Sequence, residues 1–310
     1  IALSALAVSV TSLSVAFVYQ TTRTMVIRVM GDRLKDIGRV ASLHMGEKER
    51  AALSKMAAEV DQKLVLSPEL KTEIQKAEPG TKFPSPLPAD FIKKEMESED
   101  FVSLNQFLRK IQAGTLQGVR YPSPIQQFTE AKEMPQVRFV YLITDLPAYP
   151  ANDVVAWLVD SDYEPMGEEK GVQAGLIYKV TQKSFFDGFR GKVSAETDFY
   201  NDDWGYWMSA AVPILDKDGS VIAVLGMDFD ATTEVNKVNT LMKVCIGIIA
   251  GSLVLSIIVS LVLARILSKP VIELRRGAER VRDRDFSTHV NVKTRDELGV
   301  LADTFNSMVT

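Results

Sequence analysis

Histidine and cysteine are almost missing from this chain: its 310 residues include two histidines and one cysteine. The lone thiol, Cys245, lies inside an apolar run and cannot form an intrachain disulfide. His44 and His289 have no cysteine or carboxylate partner at metal-ligand spacing, which excludes zinc sites of the usual pattern. Glycine-rich phosphate loops of the P-loop or dinucleotide type are absent. Asp160, Asp162, Asp198, Asp202 and Asp203 are the alternative reading as a calcium site, but they lack the spacing of a calcium loop. With no nucleophile and base in register, the sequence offers no catalytic constellation, no metal and no cofactor within these residues.

Charge is missing in two places. Val244 to Ala264 carries none, over the length an α-helix needs to cross a hydrocarbon core. Ile1 to Thr22 is also uncharged, with no methionine or basic start, so it reads as a first span truncated at its beginning. A cleaved signal peptide is the alternative, with a shorter apolar core of about 7 to 15 residues. The composition is 46% hydrophobic and 25% charged with net charge −4, and the mean hydropathy of +0.03 follows from the apolar runs. Arg265, Lys269, Arg275, Arg276, Arg280, Arg282 and Arg284 crowd behind the second run, whereas the middle of the chain is acidic. This asymmetry puts the C-terminal side in the cytoplasm and speaks for membrane topology, not nucleic acid. An anionic-lipid contact is the simplest use of that basic helix.

The expected domains are a first transmembrane helix at 1–22, an extracytoplasmic domain at 23–240, a second transmembrane helix at 241–267 and a cytoplasmic segment at 268–310. Residues 24–75 repeat apolar side chains at helical spacing (Met30, Leu34, Ile37, Ala41, then Leu53, Met56, Val60, Leu64), giving a long stalk helix packed on a sister chain. Docking of its second half on its own domain is the alternative. Prolines break residues 78–88, and Phe91 to Gln112 is helical again. From Val137 the period changes to that of strands: 137–144, 154–159, 175–180, 206–215 and 221–229, the last two joined by an Asp216–Gly219 turn. The fold class is α+β, a long N-terminal helix followed by an antiparallel sheet over 137–230.

In the C-terminal segment Val271, Leu274, Ala278 and Val281 repeat at coiled-coil spacing, as do Leu298, Leu301, Phe305 and Met308. Phe286 and Val290 are the spaced apolar residues of the connector between them, expected to pin it against the helices. Two short helices with one seam each are satisfied by a four-helix bundle in a homodimer. With Pro270 before Val271 and Asp296-Glu297-Leu298-Gly299 and Asn306 in the second half, this stretch resembles the HAMP signal-relay domain of bacterial receptors. The resemblance implies relay roles for Pro270, Val271, Leu274, Ala278, Val281, Glu297, Leu298, Leu301 and Phe305. The chain departs from the family at Arg284, where a glycine usually ends the first helix.

The order of the middle elements is similar to the Cache family of extracytoplasmic sensors, which have a PAS-like sheet. Residues 139–145, 204–214, Asp218-Gly219 and 224–228 carry that similarity. It favours a single Cache module, with room for a second. The aromatic and acidic run 198–207 is the kind of composition that lines a small-ligand pocket; a strand entering the core behind a polar loop accounts for it as well. Candidate ligand contacts are Trp204, Tyr206, Trp207, Ser209, Asp228 and Tyr178. Side chains alternate along a strand, so Tyr206 and Trp207 cannot both face one cavity without a bulge. Asp228 matches the place where the family often offers a carboxylate to an amine. The arginine pattern for an amino-acid carboxylate is not recognisable. The resulting expectation is a dimeric receptor of the bacterial inner membrane, sensing a small molecule outside and passing the change through HAMP to an output module beyond Thr310 of kinase, cyclase or chemotaxis type. The alternative is a membrane-anchored partner-binding or structural domain without a small ligand.

Overall fold

A computed structural model describes residues 2–115, 136–149, 153–162, 172–202 and 205–309. It divides into two compact units, one of residues 23–238 and one of 1–22 with 239–310.

The first unit is mixed α+β. Its antiparallel sheet contains β1 (Lys82–Phe83), β2 (Val137–Asp145), β3 (Val154–Asp160), β4 (Ile177–Lys179), β5 (Ser194–Ala195), β6 (Tyr200–Asp202), β7 (Gly205–Leu215) and β8 (Val221–Asp230). The order is β1-β4-β3-β2-β8-β7-β5, with β6 also on β7. The β7–β8 hairpin closes where Asp216 donates to Ser220 O at 2.8 Å and Gly219 to Asp216 O at 3.1 Å. Gly219 has φ +87°, which glycine adopts without a Cβ penalty.

Alternation along the strands divides the sheet into two faces. Met208, Ala210, Val212 and Ile214 of β7 join Ala223, Leu225 and Met227 of β8 in the larger core. Helices cover this face: α1 (Ala2–His44), α2 (Glu47–Lys63), α3 (Pro68–Lys76), α4 (Ala89–Met96) and α5 (Glu99–Ala113) supply Leu34, Leu53, Met56, Ile74, Met96, Leu104 and Leu108, all almost fully buried. Each such side chain contributes about 1.5–3 kcal/mol through removal from water. A methyl group at Gly38 of α1 would overlap Val212 and approach Met227 Cε, so the missing side chain lets α1 lie directly on β7 and β8. The opposite face carries Ala211, Val224, Tyr141, Ile143 and Val155 beneath Phe185 of α6 (Lys183–Phe189).

Residues 24–75, expected as one stalk helix, form three helices instead. Arg50 caps the end of α1 by donating to Ser42 O at 2.5 Å and Met45 O at 3.2 Å, and it also reaches Leu215 O at 2.8 Å. After α2, Ser67 accepts from Leu70 N at 3.1 Å and Pro68 opens α3. The apolar stripe assigned to a sister chain, Leu34 and Ala41 included, is buried against the chain's own sheet along both halves. Ser98 likewise splits the helix expected at 91–112, capping α5 through Phe101 N at 3.1 Å.

Among the described residues two helices are long and apolar enough to cross a membrane, Ala5–His44 and Thr232–Arg282. α7 (Thr232–Leu263) begins at a cap made by Asp230 with Thr232 N, 2.9 Å. A π-helical turn, Ala264–Ser268, joins it to α8 (Lys269–Arg282), with Pro270 in the first turn. Proline has no N–H for the preceding turn, and widening that turn accommodates the lost bond. α9 (Glu297–Val309) follows a connector at 283–296.

Candidate functional site

On the α6 face of the sheet lies a cavity of about 270 Å³. Its walls are aromatic: Phe139 and Tyr141 of β2, Trp157 of β3, Tyr178 of β4, Tyr200 of β6 and Trp207 of β7. Trp157 packs against Tyr141 at 5.2 Å between ring centroids and meets Tyr178 edge-on at 5.6 Å and 86°. Phe139 and Trp207 approach to 5.2 Å. Offset and edge-on pairs of this kind stabilise one another beyond their buried area and hold the walls in place.

Among the described residues two carboxylates line the cavity, Asp160 and Asp228. Asp228 Oδ1 accepts from Ser209 Oγ at 2.5 Å and from Tyr141 Oη at 3.1 Å, and Tyr200 Oη stands 2.6 Å from Ser209 Oγ. Burial, reinforced by the Asp228 charge, holds the Tyr141 phenol well above its ordinary pKa and keeps it a donor. Asp160 accepts from Asp162 N at 2.8 Å and Val172 N at 3.1 Å. Burial pushes its carboxyl up to about 7; the nearby Asp162 and Asp228 charges add to the rise and the two N–H groups oppose it. Lys82 stands exposed at the rim.

Of the six residues singled out in the sequence, Trp207, Tyr178 and Asp228 line this cavity. Ser209 is fully buried and touches Asp228 from its own strand, opposite in register. Tyr206 is 42% exposed and is not among the lining residues, as strand alternation requires. Trp204 lies outside the described residues. Tyr141, Trp157, Phe139 and Tyr200 were not among the candidates. The available signal was that β2 and β3 place aromatics at alternate positions, Phe139 and Tyr141 on one and Trp157 on its neighbour. Of the acidic residues weighed for calcium, Asp198 pairs with Arg23 at 2.6 Å and Asp162 with Arg138 at 2.8 Å, Asp160 accepts the two N–H groups above, and Asp203 and the side chain of Asp202 lie outside the described residues. Among the described residues no three His, Cys, Asp or Glu side chains are grouped for a metal.

The C-terminal helices form their own small core, with Leu274 of α8 and Phe305 of α9 around Val290, Val292 and Ala302. A methyl at Gly277 would overlap Val290, and one at Gly299 would overlap Thr294 O. Helical glycine at 277 thus admits the connector. Asp296 caps α9 through Leu298 N at 3.1 Å and Gly299 N at 3.3 Å. Asn306 clamps the connector at one residue, accepting from Val290 N at 2.8 Å and donating to Val290 O at 2.9 Å. Phe286, expected to pin the connector with Val290, is 62% exposed; Val292 takes that place. Arg284 has φ +68°, the left-handed conformation usually left to glycine. Pro270 is buried, Val281 and Leu298 are half-buried, and Val271, Ala278, Glu297, Leu301 and Met308 are exposed.

Residues 262–310 match the HAMP domain family. A stretch of 146 residues, 44% of this chain, is 29% identical to a probable methyl-accepting chemotaxis protein of Bacillus thuringiensis subsp. konkukian, of which it covers 24%. No solved structure matches the chain. Two span-length helices around a β-rich unit, a C-terminal HAMP domain and likeness to a chemotaxis protein together fit a transmembrane receptor with a HAMP domain.

Proposed function

We propose that this chain is the sensing and relay portion of a dimeric receptor in the bacterial inner membrane, with residues 23–240 a Cache-type sensor outside and the HAMP segment in the cytoplasm. The observation that carries the reading is the cavity: aromatic walls around the buried Ser209–Asp228–Tyr141 hydrogen-bond group form a site for a small organic molecule. An antiparallel sheet with helices on one face and a ligand-sized cavity on the other supports the PAS-like assignment. Asp228 stands where the resemblance puts the carboxylate for an amine, and aromatic faces add cation–π attraction to a protonated nitrogen.

The relay starts at the site itself. β8 carries Asp228 and ends at Asp230, which caps α7, and α7 runs on toward the span. The exposed side chains Val271, Ala278, Leu301 and Met308 form the seam that a second copy covers in the dimeric bundle. A larger side chain at Ala278 overpacks one arrangement of that seam by about 1–3 kcal/mol, so Ala278→Leu locks the output while ligand binding stays unchanged. The output module is of chemotaxis type by likeness to the Bacillus protein.

Thermal unfolding of the full chain in nanodiscs against a library of amines and other metabolites tests the sensor. A ligand at a hundred times its Kd stabilises the fold by about 2.7 kcal/mol, and Asp228→Ala removes the response. A library with no stabilising member favours the other class of function, a membrane-anchored domain that binds a partner.

A further inference from the structure

Along the outer edge of β7 the pairing is interrupted. β5 pairs Ser194 with Ala211 and Ala195 with Ala210, and β6 pairs Tyr200 with Trp207 and Asn201 with Tyr206. Four residues, 196–199, therefore stand opposite two, Met208 and Ser209. Bulges occur at sheet edges and beside sites, where they re-aim side chains. Here the re-aimed side chains divide between the two faces of the sheet. Glu196, held by its own N–H on Ser209 O at 2.8 Å, accepts from Ser184 N of α6 at 2.7 Å. Ser194 Oγ donates to Asp187 Oδ2 of the same helix at 3.0 Å. Asp198 turns the other way, and Arg23 of α1 donates to both of its oxygens at 2.6 Å. Phe199 packs on the larger core. Tyr200 returns to the cavity, which it lines, with Oη 2.6 Å from Ser209 Oγ.

α1 meets the same segment again at Gly31, where an added methyl would stand 3.1 Å from Met208 Cε and 3.3 Å from Ala195 Cβ. Arg23 and Gly31 are separated by about 12 Å along the helix at 1.5 Å per residue. Two such seats make a shift of the segment act on the helix as a body. α1 is unbroken from Ala2 to His44, and its residues up to Thr22 carry no charge. We propose that residues 194–202 are a second transmission element, coupling α6 and Tyr200 at the cavity to α1 and so to the first span, beside the path from β8 into α7. The Arg23–Asp198 pair is its output contact. An exposed ion pair adds little to stability, so removing it leaves the fold standing and cuts the connection.

The test uses the full chain in nanodiscs and needs no ligand, so its outcome is independent of the amine reading. Hydrogen exchange is followed at the Ser184 and Glu196 amides, with Leu142 and Leu225, paired in the middle of the sheet, as controls. Arg23→Gln quickens exchange at Ser184 and Glu196 by about two- to fivefold, the scale of one exposed ion pair, and leaves the controls unchanged. Asp198→Asn does the same, and the double variant does no more than either alone. The exchanged pair, Arg23→Asp with Asp198→Arg, restores the original rates. A nitroxide at Thr24→Cys, an exposed position, in a Cys245→Ser background reads the reverse direction. Tyr200→Phe keeps the ring and removes the hydroxyl on Ser209; it alters the nitroxide spectrum, and it alters nothing further once Asp198 is Asn. Unchanged exchange at Ser184 and Glu196 in Arg23→Gln and Asp198→Asn would overturn the proposal. So would equal quickening at the control amides, which is global loosening, or a response of residue 24 to Tyr200→Phe that is absent or persists in full without Asp198.

Discussion

Tyr141 lies across Gly226, its partner in the β2–β8 register, so closely that a methyl group at Gly226 would overlap the phenol ring. The bare backbone there lets the hydroxyl reach Asp228 on the same neighbouring strand. Gly226→Ala is expected to cost about 1–3 kcal/mol by overpacking. Denaturant unfolding of the full chain measures it, and the cost should shrink in a Tyr141→Leu background, because the two positions share one space.

Asp160 makes stability depend on pH in the direction opposite to an ion-paired carboxylate. Its folded pKa of about 7 lies above the ordinary 3.8, so between those values the folded chain holds a proton that the unfolded chain has lost. Stability attributable to this group is full below about 3.8, falls as pH rises toward 7, and is level above. Melting curves of wild type and Asp160→Asn across that window should diverge with this sign; parallel curves would count against a buried, protonated Asp160.

Asn306→Ala strips the clamp from both backbone groups of Val290. The expected loss is about 1–3 kcal/mol for buried polar groups left unpaired. Hydrogen exchange at the Val290 amide should quicken, and an unchanged rate would mean that the connector is held by Val290 and Val292 packing alone.

Arg284 pays the conformational cost of a left-handed residue with a side chain. Replacement by glycine should stabilise the C-terminal helices by about 0.5–1 kcal/mol, the left-handed penalty less glycine's greater chain entropy. Arg284→Val should do the reverse, since branching at Cβ makes the same φ harder to hold. Thermal unfolding followed by circular dichroism orders the three variants.

The long strands and the β7–β8 turn were legible because period-two alternation and an Asp-Gly turn are local signals. The breaks in the first helical stretch were not, since apolar spacing continues across Met45–Gly46 and Leu64–Ser67 and only the caps, Arg50 and Ser67, mark the stops. In the candidate site, Trp207, Tyr178 and Asp228 were visible as unusual aromatic and acidic positions. Trp157 and Tyr141 follow plain alternation with Val155 and with Phe139 and Ile143, and they were passed over because alternation does not say which face of a sheet buried on both sides holds the cavity. The HAMP segment was the most legible, because Asp296, Gly299 and Asn306 each act within a turn or one short connector. Phe286 was misplaced there because apolar character alone does not say which side of a connector turns inward.

Strand β7 turns Trp207 and Ser209 toward the cavity and Met208, Ala210 and Val212 toward the helices. One ribbon thus carries two independent alphabets in alternate letters. Substitutions at the odd positions can retune what the cavity accepts while the even positions, seated near Gly31 and Gly38 of α1, keep the same contact with the helix behind them. A lineage can therefore change what it detects by single steps without rewiring how the strand meets its helix, and chimeras that swap only 207, 209 and 211 should inherit the donor's taste and the recipient's scaffold.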